Sequence, residues 1–255
     1  TVASAHTHRG EPTVLEVVGP LTDPAGLPLS TEAVSLTPTG GSRCPGLGTV
    51  VVLGSAMNAG KTTTTSAIVR GLSRAGLRVG AGKVTGSGSG KDHWAYRDAG
   101  AIAVSEFLDF GMPSTFGYPI DRLVATMFGI REHLVDRGAE VVVLEVADGV
   151  LQAETRALAG RLRDFADHVV LAVGDALGAM AGVDVLVELG VSVRAISGLV
   201  TASPLASRET AAATGLPVLS SAELTDGAAV DLLAGVAHSA QARAEGCLHP
   251  DGSPA

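Results

Sequence analysis

The chain is short of sulfur, of rings and of positive charge. Of its 255 residues two are cysteines, Cys44 and Cys247, far apart and without metal-ligand spacing. That speaks against a disulfide framework and a cysteine-based zinc site; a reduced, cytoplasmic location is the expectation, with a Cys44–Cys247 disulfide the lesser alternative. Aromatic residues make up 3%, so Val, Leu, Ala and Ile must fill the core. Lys and Arg number 18 against 26 Asp and Glu, a net charge of −8. A nucleic-acid-binding surface should be basic, so the balance speaks against nucleic acid as a partner. No apolar run approaches the roughly 20 residues that span a bilayer. Residues 1–10 are polar, unlike a secretory signal, so no membrane partner is expected. The chain opens on Thr1 instead of Met, which leaves processing, trimming or a lost upstream part open.

What the chain does have is one stretch around which the rest is organised, residues 49–65, TVVVLGSAMNAGKTTTT. A β-branched apolar run at 50–53 meets Gly54, then a loop of small residues, then Gly60-Lys61-Thr62 and a helical pattern. Strand, small-residue loop and helix in that order wrap backbone N–H groups around a phosphate. Gly60 lets the backbone approach an anion. Lys61 reaches β- and γ-phosphates, and the Thr62 hydroxyl is placed to ligate Mg²⁺. Ser55, Asn58, Ala59 and Thr63 complete the expected polyphosphate contacts. The usual spacing, G-x-x-x-x-G-K-[ST], puts its first glycine at position 55; here that residue is Ser55 and the glycine is Gly54, one place earlier. The competing reading is a Gly-Lys-Thr that merely starts a helix.

The length suits one domain of α/β size, or one domain with an appendage. Residues 1–48 read as an N-terminal arm or small β element, with short strands at 13–18 and 33–36 around a turn at 23–26 and a linker at 37–48. From residue 49 to 245 strands and helices alternate, which predicts a mostly parallel, doubly wound sheet covered on both faces. Strands are expected at 50–53, 77–83, 140–146, 168–173 and 193–200, with a short one at 217–219. Helices are expected at 61–75, 120–137, 154–165, 176–189, 205–214 and 228–244. The TGSGSG run at 85–90 reads as a flexible loop, and residues 96–110 mix helix with a short apolar run. Residues 246–255 form a tail.

Ligands of parallel α/β sheets gather at the C-terminal ends of strands, so polar residues there are the candidates. Glu145 ends a run too apolar to be a surface edge and is placed to hold Mg²⁺ with Thr62; pairing with an arginine or capping a helix is the alternative. Asp148 is a second ligand, a group that orients an acceptor, or an Asx-turn before Gly149. Lys83 holds a phosphate or an anionic acceptor, or is a solvated strand end. Gly174, Asp175, Thr201 and Ser203 follow the later strands. Lys91, His93 and Trp94 belong to the expected lid, and Asp109 and Asp121 are more distant candidates.

Residues 54–88 resemble the opening of dethiobiotin synthetase and its relatives, which place a glycine one residue early and follow helix and strand with a Lys-Pro-Val-x-x-Gly-like segment. Gly54, Gly60, Lys61, Thr62, Lys83 and Gly86 fall on that pattern. VVLEVADG is similar to the family's glutamate-bearing strand end at Glu145, VVLAVGDALGAM to a later strand-turn-helix, and ISGLVTAS to the strand leading to the base-binding loop at Thr201. The resemblance covers residues 49–219. It implies a three-layer α/β P-loop NTPase fold with Mg-ATP, phosphoryl transfer to a carboxylate or carbamate, and a homodimer with the acceptor near its interface. The chain departs from the pattern at Ala56, where the family has a metal-holding aspartate, at Val84 for proline, and at Thr201 for an adenine-contacting asparagine, so ATP versus GTP stays open. It also lacks the early second lysine of partitioning ATPases. A P-loop family that includes D-glutamate N-acyltransferases is similar too, through the early glycine, the TGSGSG segment and FGYPID at 116–121. That resemblance implies coenzyme A phosphates in the cradle.

Three functions follow as expectations. The first is Mg-ATP-dependent activation of a small, anionic acceptor, with Lys61, Lys83 and Asp148 as catalytic residues. The second is N-acyl transfer with coenzyme A. The third is a nucleotide-switched accessory NTPase without small-molecule chemistry.

Overall fold

Three valine-rich runs set the centre of the molecule. In the structure, a computed structural model that describes residues 13–38 and 48–233, they are β1 (Gly48–Gly54), β4 (Val141–Glu145) and β5 (His168–Ala172). With β2 (Val79–Lys83), β3 (Ala103–Glu106) and β6 (Val193–Ser197) they make one six-stranded sheet, order β3-β2-β4-β1-β5-β6. Every pairing is parallel. β-Branched residues buried on both faces are what such a sheet needs.

Side chains alternate between two cores, as a period of two dictates. Val50 and Val52 of β1 and Val143 of β4 face one layer: α1 (Lys61–Arg74), Tyr96 of α2 (Gly90–Asp98) and α8 (Ala229–Leu233). Val51, Leu53 and Leu144 face the other, where α3 (Ile120–Asp136), α4 (Ala153–Ala159) and α5 (Ala176–Glu188) lie. α6 (Pro204–Thr214) packs beside α5 and α7 (Ser221–Glu223) beside α1. The result is a three-layer α/β sandwich. Four of its few rings, Tyr96, Phe107, Phe110 and Phe165, are buried, whereas Trp94 and Phe116 are exposed.

The connection order places the site. β1 lies between β4 and β5, and successive connections run out from it in both directions. Loops that follow β1, β4 and β2 therefore meet at the C-terminal edge, at the point where a doubly wound sheet opens a crevice.

Several elements differ from the sequence-based expectation. β3 had read only as a short apolar run; Ala103 and Val104 are half-buried at the sheet edge, too few residues for a clear pattern. The helix expected at 154–165 stops at Ala159 before Gly160 and resumes as a single 3₁₀ turn, Leu162–Asp164. Residues 217–219 give only an isolated bridge, Val218 to Ile196. In the arm the expected strands are absent among the described residues. Residues 13–18 have no regular structure, Thr31–Val34 is a 3₁₀ turn capped by Ser30, and a lone bridge from Thr22 to Pro28 closes the turn. The arm is tied down by Thr31, which donates to the Gly111 carbonyl at 2.9 Å, and by the Leu36 N–H, which donates to Asp109 at 2.7 Å. Cys44 and Cys247, most of the expected linker, the end of the helix expected at 228–244 and the expected tail lie outside the described residues.

Candidate functional site: a phosphate cradle and a carboxylate–lysine corner

β1 ends at Gly54, and the loop to α1 is held from three sides. The Ser55 N–H donates to Ala172 at the end of β5, the Val150 N–H to the Gly54 carbonyl, and the Leu199 N–H to the Ala59 carbonyl at 3.1 Å. Two further glycines allow that closeness. A Cβ on Gly198 would sit 2.3 Å from the Ala59 oxygen, and one on Gly149 would sit 2.8 Å from the Ala56 Cα. The loop turns through left-handed backbone at Asn58 (φ 63°) and Gly60 (φ 97°), the first a residue type that tolerates it and the second one that favours it. Gly60 is the N-cap of α1, and no side chain caps that helix. Its first N–H groups thus face the loop with the positive end of the helix behind them, an arrangement that attracts an anion.

The early glycine has a geometric reason. Lys61 folds back across the end of β1, and a Cβ on Gly54 would lie 2.8–3.0 Å from its Cδ, Cγ and Nζ. Its Nζ donates to the Ala56 carbonyl at 2.9 Å inside the loop. Lys61 is buried, and burial lowers its pKa while Glu145 and Asp148 pull the other way.

Beside the cradle lies a second group of charges. Lys83 at the tip of β2 stands in register with Glu106 of β3 and with Glu145 of β4. Above this row α2 presents Asp92 and Tyr96, one turn apart and therefore on one face. Asp92 pairs with Lys83 and accepts from the Thr62 hydroxyl at 3.2 Å. The Tyr96 hydroxyl donates to Glu145 at 2.5 Å. Burial raises the pKa of Glu145, against the bonds from Tyr96 and Thr62 and the charge of Lys83 that favour its ionised form. Burial and the Glu145 carboxylate push Tyr96 well above the usual phenol range. Glu106, 4% exposed, is raised to about 7, chiefly by burial, and its Oε1 has no hydrogen-bond partner among the described residues.

The donor set suits Mg²⁺. Thr62, Asp92 and Glu145 offer hard oxygens at one corner, and a magnesium ion on one or two carboxylates plus phosphate oxygens is the usual arrangement. Among the described residues no three His, Cys, Asp or Glu side chains cluster closely enough to hold a metal unaided.

No family model matches the chain, and no curated protein matches it. Solved structures do. The chain is similar to the signal recognition particle 54 kDa protein of Aeropyrum pernix K1 in complex with GDP, with 21% identity over 80% of this chain and 50% of that one, TM-score 0.51. It is also similar to the signal recognition particle receptor FtsY of Elizabethkingia anophelis (16% identity, 71% and 60% covered, TM-score 0.44). Chloroplast FtsY of Physcomitrella patens gives 15% identity, 74% and 62% covered, and TM-score 0.46. The chain spans 50–62% of the length of these structures. Together with the parallel sheet and the loop after β1, the first of them decides the fold.

The chain has a P-loop NTPase fold.

Within this fold the sequence-predicted residues fall into two groups. Gly54, Ser55, Asn58, Ala59, Gly60, Lys61, Thr62 and Thr63 form the P-loop and the start of α1, and Lys83 and Glu145 stand beside it. Asp148 is exposed on the turn that packs on Ala56; the Ala147 carbonyl before it accepts from both Thr85 and Thr155. Thr201 stands apart from that corner, in a pocket of about 320 Å³ lined by Gly60, Thr63, Ser220 and Ser221. Its hydroxyl donates to Gly198 at 2.8 Å. Other candidates do structural work: Asp175 caps α5, Ser203 caps α6, and Asp109 accepts from the Glu106 N–H at 2.9 Å. His93 meets Trp94 edge to face, and Asp121 is exposed in the first turn of α3. The TGSGSG loop is pinned, since the Gly88 N–H donates to Pro113 and the Gly86 N–H to Thr115, each at 2.9 Å. Asp92, Tyr96 and Glu106 were not singled out from the sequence. The four-residue spacing of Asp92 and Tyr96, just after the glycine loop, was the available signal.

Proposed function

We propose that the chain is a Mg²⁺-dependent enzyme that transfers the terminal phosphoryl group of ATP to a carboxylate or similar group of a small anionic acceptor, as the resemblance to dethiobiotin synthetase implies. The observation that carries this reading is Lys83. A P-loop already supplies one lysine; here a second stands at the tip of β2, on the far side of β4, between Glu106 and Glu145 and tied to Asp92 beside Thr62. Binding a nucleotide requires Lys61; holding a second anion against it gives Lys83 a use.

In this reading the loop amides from Ser55 to Thr63 and the start of α1 grip the β- and γ-phosphates, and Lys61 stabilises charge on the transferred group. Thr62 and Glu145, with Asp92, would hold Mg²⁺, which would supply neutralisation of phosphate charge. Tyr96 orients the Glu145 carboxylate. Lys83 positions the acceptor, and Asp148 on the rim orients it. The pocket beside Thr201 takes the nucleotide base. The homodimer remains part of the proposal and is read by light scattering.

A thermal-shift and calorimetry panel of ATP, GTP and coenzyme A, each with and without Mg²⁺, tests the proposal. Mg²⁺-dependent ATP binding, and phosphate release stimulated by a small carboxylate, support it. Preference for GTP with hydrolysis indifferent to any small carboxylate favours a nucleotide-switched NTPase instead, a reading to which the GDP complex of the structural neighbour lends support. Stabilisation by coenzyme A alone favours acyl transfer.

A further inference from the structure

A second pocket, about 510 Å³, opens between α1 and α2 and reaches Ser221. It is large enough for a metabolite. On the α1 side Thr62, Ser66 and Arg70 recur every four residues and so form one stripe; Lys91, Asp92 and Ala95 face them from α2. The pocket thus begins at the Thr62–Asp92 contact and runs away from the P-loop along the outside of α1. It shares Thr63 and Ser221 with the smaller pocket beside Thr201 but lies on the other side of them.

Three features suit it to an anion. Arg70 and Lys91 line it, and among the described residues neither has an ion pair; the Arg70 guanidinium donates to the Asp98 carbonyl at 3.5 Å. Of the two carboxylates in its wall, Asp92 is neutralised by Lys83, which leaves Asp98 against two cations. The Ser66 hydroxyl is buried without a hydrogen-bond partner among the described residues, a group that a polar ligand would satisfy.

We infer that this pocket binds the acceptor: a small carboxylic acid whose anionic end is held by Arg70 and Lys91, with Ser66 bonding its middle and its other end at the Thr62–Lys83 corner. The inference rests on the proposed phosphoryl-transfer reading and adds to it the place and charge of the second substrate.

The test uses the chain loaded with Mg²⁺ and a non-hydrolysable ATP analogue, with succinate, glutarate and citrate as probes and succinamide as the neutral control, read by saturation-transfer NMR. At least one carboxylate is expected to bind, and succinamide is not. An Arg70→Ala/Lys91→Ala variant should weaken that binding about tenfold or more, the scale of losing charge-assisted hydrogen bonds. Its affinity for the analogue, measured by calorimetry, should stay within about twofold, which also certifies its fold. A wild-type chain that binds the analogue but none of the carboxylates overturns the pocket assignment alone, as does equal probe binding by the variant. A wild-type chain that fails to bind the analogue overturns the phosphoryl-transfer reading itself.

Discussion

Two buried ionisable side chains make the sharpest predictions at the scale of single residues. Glu106 sits among Lys83, Asp92, Asp109 and Glu145, and its carboxyl rises from the ordinary 4.5 to about 7, mainly through burial. Between those two values the folded chain keeps a proton that the unfolded chain has released, so stability falls as pH rises through that window and stays lower above it. Glu106→Gln removes the cost. It should stabilise the chain by roughly 2–3 kcal/mol at pH 8 and little at pH 5, read by chemical denaturation at both pH values; equal effects at the two would contradict the assignment. Lys61 makes the catalytic counterpart. Lys61→Ala should lower turnover by about 10²-fold or more, the scale of losing a group that stabilises transferred charge, while leaving the far-UV circular dichroism spectrum unchanged. The places of Gly60, Lys61, Thr62 and Glu145 at the strand ends were legible because each carries its signal locally, in a motif or at the end of an apolar run. Glu106 was not, because a glutamate closing the four-residue strand AVSE looks like any surface residue until its surroundings bury it.

Between residue and molecule, the loop, β1 and α2 act as units. The glycine that falls one place early is required by the path of Lys61 over the strand end. Gly54→Ala must therefore displace the lysine while keeping the strand; nucleotide affinity should fall at least about tenfold with a smaller change in melting temperature. The α2 face is the unit that sequence reading missed. The TGSGSG run was read as a flexible loop, whereas bonds to residues 113–115 pin it just before α2 starts at Gly90. That positions Asp92 over Thr62 and Lys83. Tyr96→Phe removes the hydroxyl that bonds Glu145 while keeping the buried ring, so it should weaken the Mg²⁺ dependence of nucleotide binding more than binding without metal, measured by titrating Mg²⁺ at fixed nucleotide. An equal loss in both would place the hydroxyl in packing alone.

For the molecule as a whole, alternation of β-branched runs with amphipathic helices was enough to read a parallel three-layer sheet, since burial on both faces leaves a plain pattern in β1, β4 and β5. The expected strand at 13–18 did not form because TVLEVV has strand composition but, among the described residues, no partner strand. In the structure Val14, Leu15, Val17 and Val18 are at least 82% exposed, and composition without pairing does not make a sheet. Strand order also lay beyond the sequence: that β4 inserts between β1 and β2, bringing Glu145 next to both the P-loop and Lys83, depends on connections whose direction no local pattern encodes.

Every role assigned here depends on the loop from Gly54 to Thr62 gripping a nucleotide's phosphates with Lys61 laid across them. Isothermal titration of the wild-type chain and Lys61→Ala with ATP, with and without Mg²⁺, measures this directly. The wild type should bind saturably, with Mg²⁺ enhancing the affinity, and Lys61→Ala should lose that binding. No binding by the wild type, or the same isotherm from both chains, would contradict it.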